Sequence, residues 1–405
     1  MSQVMAIELK SNEMNAVARI IVVGVGGAGN NAINRMIDDN IQGVEFIGIN
    51  TDKQDLACCK APKLIGIGER LTKGLGAGGD PAIGEGAAKE SVDELEAAIT
   101  GADMVFVTCG MGGGTGTGAA PIVAQISKEL GILTVGIVTK PFSFEGNVRA
   151  RHAEDGIAKL REVVDAIVVI KNDNIFKVVD DDIDANEAMK KADEVLENSL
   201  SGITNIINRQ GDLNLDFADI KKAMTDKGDI YIGIGQASGD NKGVVACNAA
   251  IDNQLLETDI VGASDVVYYV QGKVKIKDFR GVGDLLNEKC GDQANVYGGF
   301  LTEDNENDSC TVTIIATGLH KEETFRKPLA SNLGQFGNSS AQSGFNAART
   351  QRPLSTPTSF TTRGAALNTT SSIRKPLPKD ESRIIKRESD RISVPTFVKK
   401  TNREE

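Results

Sequence analysis

Two glycine-rich loops contain the residues with the clearest chemical potential. The first, GVGGAGNN at Gly24–Asn31, follows the β-branched run ARIIVVGV, and the second, GMGGGTGTG at Gly110–Gly118, follows MVFVTC. A helical pattern comes after each loop, so backbone N–H groups at a helix N-terminus can face an anion without intervening side chains. Six glycines and two threonine hydroxyls in the second loop exceed what a turn needs. The pattern predicts a nest for a polyphosphate.

A dinucleotide site is the alternative for the first loop. Gly24–Gly29 contains GxGxxG, and Asn50 and Asp52 lie about 20 residues further on, as in nicotinamide- or flavin-binding domains. The second loop disfavours this alternative, because such a domain has no use for its glycines and threonines. No GxxxxGK[ST] occurs, which excludes a P-loop. A third loop, Gly74–Gly79, would by itself be taken for a linker.

Buried β-branched runs alternate with helical patterns through the first half of the chain. This order predicts an α/β fold with a doubly wound parallel sheet, in which the helix after the second loop opens at Pro121. A long helical pattern follows, then a smaller α+β domain. The expected segments are an N-terminal extension (1–17), the α/β domain with the phosphate-binding loops (18–183), a central helix (184–210), a loop and helix (211–227), the α+β domain (228–320), a disordered linker (321–387) and a terminal peptide (388–405).

Charge divides the chain into two parts. The net charge is −11, with −19 in the first 320 residues and +8 in the last 85. An acidic body argues against nucleic acid as its ligand. Thr324–Lys379 contains no acidic residue and is rich in Ser, Thr, Asn and Gln, which predicts disorder. The apolar cluster within Asp390–Val398 is either a frayed end or a docking peptide.

The absence of targeting segments and the spacing of the cysteines narrow the remaining classes of protein. No run of 18 apolar residues occurs, so no membrane span is expected, and the N-terminus lacks a signal-peptide core, which favours the cytoplasm. Six cysteines without CxxC spacing, and only two histidines, favour buried thiols over disulfides or zinc.

The motifs together carry a resemblance to a known family. GGGTGTG at Gly112–Gly118 resembles the signature of the tubulin/FtsZ GTPases, and Ala18–Leu319 contains GVGGAGNNAINRM, NTD, GLGAGGDP, PFSFEG and NLDFADIK in the order of that family's bacterial cell-division members. The resemblance implies a GTPase that polymerises head-to-tail into a filament. It also implies a division ring at the inner face of the membrane at midcell, and tethers or regulators that bind Asp390–Val398.

The resemblance implies a nucleotide site spread over several loops. The first loop would contact the α- and β-phosphates, the second the β/γ end, and Gly76–Gly78 would close over the γ-phosphate. Met189 stands where many relatives have a ring-stacking Phe, and Asp193 would accept hydrogen bonds from guanine. The expected GTP/GDP-binding residues are Gly26, Gly27, Ala28, Asn30, Asn31, Gly76, Ala77, Gly78, Gly112, Gly113, Gly114, Thr115, Gly116, Thr117, Gly118, Thr139, Pro141, Glu145, Arg149, Asn172, Met189 and Asp193. Mg²⁺ would be held mainly by phosphates and water, with no protein ligand assigned.

Catalysis is assigned by the same resemblance to Asn214, Asp216 and Asp219. These residues would reach the γ-phosphate of the neighbouring subunit, where carboxylates orient the attacking water. Without the resemblance, an N-cap followed by first-turn acids would explain them, and an i,i+4 surface pair would explain Glu145 and Arg149. Two other functions stay open: an NAD-dependent oxidoreductase, and a non-enzymatic scaffold of the tubulin superfamily.

Overall fold

The computed structural model of the protein describes residues 18–177, 184–208, 211–252, 256, 258–291, 293–303 and 308–319. The expected N-terminal extension, disordered linker and terminal peptide lie outside these residues. Within the described part, every helix is too short or too polar to cross a bilayer.

The larger sheet has seven strands, all parallel to their neighbours. They are β1 (Ile20–Val25), β2 (Val44–Asn50), β3 (Lys63–Gly66), β4 (Met104–Gly110), β5 (Leu133–Lys140), β6 (Ala166–Lys171) and β7 (Gly228–Asp229). The strand order is β3-β2-β1-β4-β5-β6-β7. Connections reverse direction between β1 and β4, which is where doubly wound sheets open a ligand crevice beyond their carboxyl ends.

Helices cover both faces of this sheet, which explains why β1 is buried at every position. Alternate side chains of β1 contribute to different cores: Ile20 and Val22 to one, Ile21 and Val23 to the other. The helices of this part are α1 (Gly26–Asp38), α2 (Lys53–Ala57), α3 (Glu69–Thr72), α4 (Pro81–Glu90), α5 (Val92–Ile99), α6 (Thr115–Glu129), α7 (Asn147–Val163), α8 (Ala185–Asn208) and α9 (Phe217–Met224). The first core includes α1 and α8, and the second includes α4 to α7.

A second, four-stranded sheet follows in the order β10-β9-β11-β8. It contains β8 (Tyr231–Ser238), α10 (Lys242–Ile251), β9 (Asp265–Gly272), α11 (Ile276–Cys290), β10 (Asn295–Thr302) and β11 (Ser309–Thr317). Its buried side chains belong to the same core as Leu196, Leu200 and Ile203 of α8. The central helix therefore packs against both sheets.

The predicted fold class is confirmed: a parallel α/β sheet domain and a smaller sheet domain. The expected start of the helix at Pro121 is wrong, because α6 begins at Thr115 and Pro121 lies inside it. Glycine-rich sequence disfavours helix on its own, and here the packing of α4 against α6 overrides that preference. Helices α4 and α11 were not predicted either, and each contains two internal glycines.

Candidate functional site

A cavity of about 430 Å³ opens beyond the carboxyl ends of β1, β2, β4 and β5. It therefore lies at the point where the strand order reverses. Its lining combines backbone of glycine-rich loops with a few polar side chains. The lining residues are Val25, Gly26, Gly27, Ala28, Asn50, Asp52, Asp55, Gly76, Gly110, Met111, Gly113, Gly114, Thr115, Gly116, Thr139, Pro141, Glu145, Arg149, Asn172, Met189, Ala192 and Asp193.

Two helices begin at one end of the cavity. Helix α1 starts at Gly26 directly after β1, and α6 starts at Thr115, shortly after β4 ends at Gly110. Neither helix has a side-chain cap hydrogen bond at its N-terminus. Free N–H groups and the positive ends of two helix dipoles make this end suited to phosphate groups.

Close packing and a hydrogen bond stabilise the glycine loop between β4 and α6. Gly112 has φ of +102°, and a Cβ there would lie 2.8 Å from the carbonyl oxygen of Arg149. Its backbone N–H donates to Thr117 Oγ1 at 2.8 Å. Thr117 is 2% exposed, so its hydroxyl holds the loop in shape and does not line the cavity.

The other end of the cavity has side chains suited to a purine base. Met189 is exposed, while Asn172 is buried and its Oδ1 has no hydrogen-bond partner among the described residues. Asp193 forms an ion pair with Arg35 of α1, with 3.2 Å between Oδ2 and Nη2. Burial raises the pKa of Asp193 to about 6, and the attraction of Arg35 only partly offsets this rise. The amide oxygen of Asn172 and the carboxylate of Asp193 are therefore suited to accept hydrogen bonds from the polar edge of a ligand.

Glu145 and Arg149 form the i,i+4 ion pair that their spacing allows, and both also line the cavity. Glu145 Oε1 in addition accepts from the N–H of Phe142 at 2.9 Å. The surface-pair explanation and the site explanation are thus compatible in this structure.

Seven residues expected to bind nucleotide do not line the cavity. Asn30 is buried in α1 and its side-chain atoms have no partner among the described residues, whereas Asn31 is exposed. Ala77 is buried beside the exposed Gly78. Gly112 and Thr117 brace the loop, and Gly118 faces α4, where a Cβ would lie 2.0 Å from the oxygen of Pro81.

Asn214, Asp216 and Asp219 lie far from this cavity. Asp216 is the N-cap residue of α9, and Leu213 pairs with Phe300 of the second sheet. The segment after α9 bonds to Asp165 at the amino end of β6. Asp193 is 15 residues before the end of α8, which at 1.5 Å per residue places Asp193 about 22 Å from that end. The cavity and the three residues therefore lie at opposite ends of the central helix.

Three polar residues at or shortly after the end of β2 were not among the residues expected to bind GTP or GDP, although Asn50 and Asp52 were considered for a dinucleotide. Asn50, Asp52 and Asp55 line the cavity, and neither carboxylate has an ion-pair partner among the described residues. Asp52 caps α2 by accepting from the N–H groups of Gln54 and Asp55. The motif NTD at Asn50–Asp52 could have indicated them, because it comes at the end of a buried strand adjacent to β1.

Comparisons with known proteins assign both domains. Residues 19–180 match the Tubulin/FtsZ family GTPase domain, and residues 228–320 match the FtsZ family C-terminal domain. Solved structures of M. jannaschii FtsZ are similar. An empty dimer has 44% identity and a TM-score of 0.70 over 74% of this chain and 88% of that one. A point mutant of the same relative has 43% identity and a TM-score of 0.71 over 75% and 91%.

A more distant relative has the same fold. CetZ2 from Haloferax volcanii, solved as a GTPγS-bound protofilament, is 18% identical with a TM-score of 0.65, covering 75% of this chain and 94% of that one. The two family matches and the sequence identity to M. jannaschii FtsZ support GTPase activity, and therefore binding of a guanine nucleotide. The chain belongs to the FtsZ family of tubulin-like GTPases.

Proposed function

We propose that the chain polymerises head-to-tail, and that GTP hydrolysis is completed where two copies meet. The observation that carries this proposal is the separation of the cavity from Asn214, Asp216 and Asp219 along α8. We assign Asp52 and Asp55 of the cavity to the cation and Asp193 to the base, so the acids that activate water come from the other end of α8. A contact between unlike ends does not close on itself, so it generates a filament. The dimer of the M. jannaschii relative supports self-association.

In this proposal the two glycine loops hold the phosphates and α8 holds the base. Backbone N–H groups at the starts of α1 and α6 face the triphosphate, with Gly76 at its γ end. Asp193, when ionised, accepts hydrogen bonds from guanine N1–H and N2–H₂. Adenine has no such donor pair, so GTP is preferred over ATP.

Asp216 and Asp219 of the adjoining copy orient the attacking water beside the γ-phosphate. Phosphoryl transfer depends mainly on such positioning and electrostatics. Both acids are at the start of α9, Asp216 as its N-cap and Asp219 in its first turn. Asn214 holds the preceding loop, because its Oδ1 accepts from the N–H of Gly211.

The charge of the cavity fits a divalent cation. Its lining includes Asp52, Asp55, Glu145 and Asp193 but, among cationic side chains, only Arg149. A triphosphate entering an acidic lining is repelled unless a cation lies between them. Mg²⁺ prefers oxygen ligands and keeps several waters, so Asp52 and Asp55 would hold it through water or directly. When bound, it would neutralise charge on the phosphates.

The cellular setting follows from the family as a proposal. The filament would form the bacterial division ring at the inner face of the membrane, with the protein cytoplasmic. Asp390–Val398 would bind membrane tethers and regulators. Deleting Asp390–Glu405 is expected to abolish tethering to membranes in cells while GTP turnover by the purified protein stays unchanged.

Concentration-dependent GTP hydrolysis, recorded together with light scattering, tests the shared site. Specific activity should rise with protein concentration and follow the scattering signal. Asp216→Ala should bind GTP and hydrolyse it slowly. Activity independent of protein concentration would contradict the shared site. NADH displacing bound GTP would instead support the oxidoreductase alternative.

A further inference from the structure

Thr51 connects two segments that line the phosphate end of the cavity. It follows β2 directly and is 2% exposed. Its Oγ1 lies 2.6 Å from Thr115 Oγ1, at the start of α6. Its carbonyl oxygen accepts from Gly76 N at 3.2 Å and from Thr72 Oγ1 at 3.3 Å. Thr115 and Gly76 both line the cavity, whereas Thr51 does not.

The chemistry of the two hydroxyls fixes which of them donates when a phosphate is bound. Each hydroxyl has one proton to donate and can accept two hydrogen bonds. A phosphate oxygen can only accept, so Thr115 can bond a phosphate only by donating its proton to it. Thr51 must then donate to Thr115, because one of two hydroxyls at 2.6 Å is the donor. Thr115 is the one hydrogen-bond partner of Thr51 Oγ1 among the described residues.

We propose that Thr51 is a positioning residue that sets the direction of the Thr115 O–H toward the terminal phosphates. The carbonyl oxygen of Thr51 also accepts a hydrogen bond from Gly76. Thr51 therefore fixes the second glycine loop through its side chain and the segment with Gly76 through its backbone. This inference rests on the proposed function, in which both segments face the β/γ end of GTP. Its consequence is that Thr51 contributes to discrimination between GTP and GDP.

Thr51→Val isolates the hydroxyl, because valine has the same shape and the carbonyl contacts are backbone. Without the donor, Thr115 has no hydroxyl partner to hold its orientation. We expect GTP affinity to fall about tenfold, as for a weakened hydrogen bond to a charged group, with GDP affinity changed much less and kcat lowered. Thr51→Ser should restore the GTP affinity and kcat of the parent, since serine retains the hydroxyl.

The measurement is displacement of a fluorescent guanine nucleotide by GTP and by GDP, on the full chain at a concentration where light scattering detects no assembly. An unchanged ratio of GTP to GDP affinity in Thr51→Val, or no recovery in Thr51→Ser, would overturn the proposal. If the unmutated protein binds neither nucleotide, the proposed function is refuted instead.

A second comparison excludes a merely structural role. In a Thr115→Val background, Thr51→Val should cause no further loss of GTP affinity, because Thr51 acts through Thr115. Additive losses would contradict the proposal. If Thr51→Val lowers the melting temperature so far that the protein does not fold, Thr51→Ala provides a second variant without a hydroxyl for the same comparison.

Discussion

At the scale of single residues, Asp193 occupies an unfavourable environment. Its carboxyl is mostly buried and only partly compensated by Arg35, and its pKa is raised to about 6 from 3.8. Between those two pH values the folded state binds more protons than the unfolded state, so stability falls as pH rises through this window and does not recover above it. The protein retains an acid here at the expense of stability, which is typical of a binding group.

Asp193→Asn is therefore expected to raise the free energy of unfolding of the nucleotide-free protein at pH 7 by about 1–3 kcal/mol, at about 1.4 kcal/mol per pKa unit. The same variant should lose most of its GTP affinity, because an amide cannot accept from both guanine donors without a clash of N–H groups. Thermal unfolding and nucleotide titration measure the two effects. A variant that is less stable than the parent and still binds GTP tightly would contradict this account of Asp193.

The pH dependence of binding follows from the same carboxyl. In the proposed site guanine binds the ionised carboxylate, so GTP affinity should decline as pH falls below about 6, by up to about tenfold per pH unit. Nucleotide titrations between pH 5 and 7 measure the decline. Asp193→Asn serves as the control, since its remaining pH dependence comes from the phosphates and other groups. Equal pH profiles in the two proteins would rule out Asp193 as the titrating group.

Met189 offers a gain-of-affinity prediction. Its side chain is 41% exposed, and Met189 lines the end of the cavity where we propose that the base binds. Met189→Phe should tighten GDP binding about three- to tenfold, because an aromatic ring stacks on a purine face more favourably than a thioether does. Met189→Leu is the matched control and should leave affinity near that of the parent. Unchanged affinity in Met189→Phe would count against stacking at this position.

At the scale of elements, the glycines of the second loop have two different tasks. Gly113 faces open space, and no heavy atom would lie within 4 Å of an added Cβ. Gly118 lies against α4, where a Cβ would be 2.0 Å from Pro81 O and 2.5 Å from Glu85 N. Gly118 therefore permits the close packing of α4 on α6.

Gly118→Ala should destabilise the protein by about 1–3 kcal/mol or more, as overpacking does, because backbone atoms must move. Gly113→Ala, at a residue whose φ is not positive, should change the free energy of unfolding by less than about 1 kcal/mol. Urea denaturation of both variants measures the difference. Similar stabilities would mean that α4 and α6 are not held in close contact in solution.

The alternation of buried strands and helices was enough to predict the parallel sheet, since runs such as IIVVGV are buried on both faces. The glycine loops were enough to predict a phosphate site. The start of α6 at Thr115 was not predictable, because local propensity opposes helix there and tertiary packing decides. The sequence pattern also could not show that Thr117 accepts a hydrogen bond from the N–H of Gly112 or that Gly118 packs against α4, because the folding of the loop brings these partners together.

At the scale of the whole molecule, the cavity and the residues Asn214, Asp216 and Asp219 lie at two ends joined by α8. Leu196, Leu200 and Ile203 of this helix belong to the core shared with the second sheet, so the helix holds the cavity and these three residues at a fixed separation. A complete active site, as proposed, consists of the cavity of one copy and the acids of the next.

Mixing two variants, each expected to be defective at one end, tests this shared site most directly. Asp216→Ala retains the cavity, and Asp193→Asn retains the acids. Each alone should hydrolyse GTP slowly, whereas an equal mixture should recover up to about a quarter of the parent activity, because one in four head-to-tail pairings joins two intact halves. The double variant mixed with either single variant should recover none. Hydrolysis in the mixture no greater than the average of the two variants measured separately would contradict the shared active site.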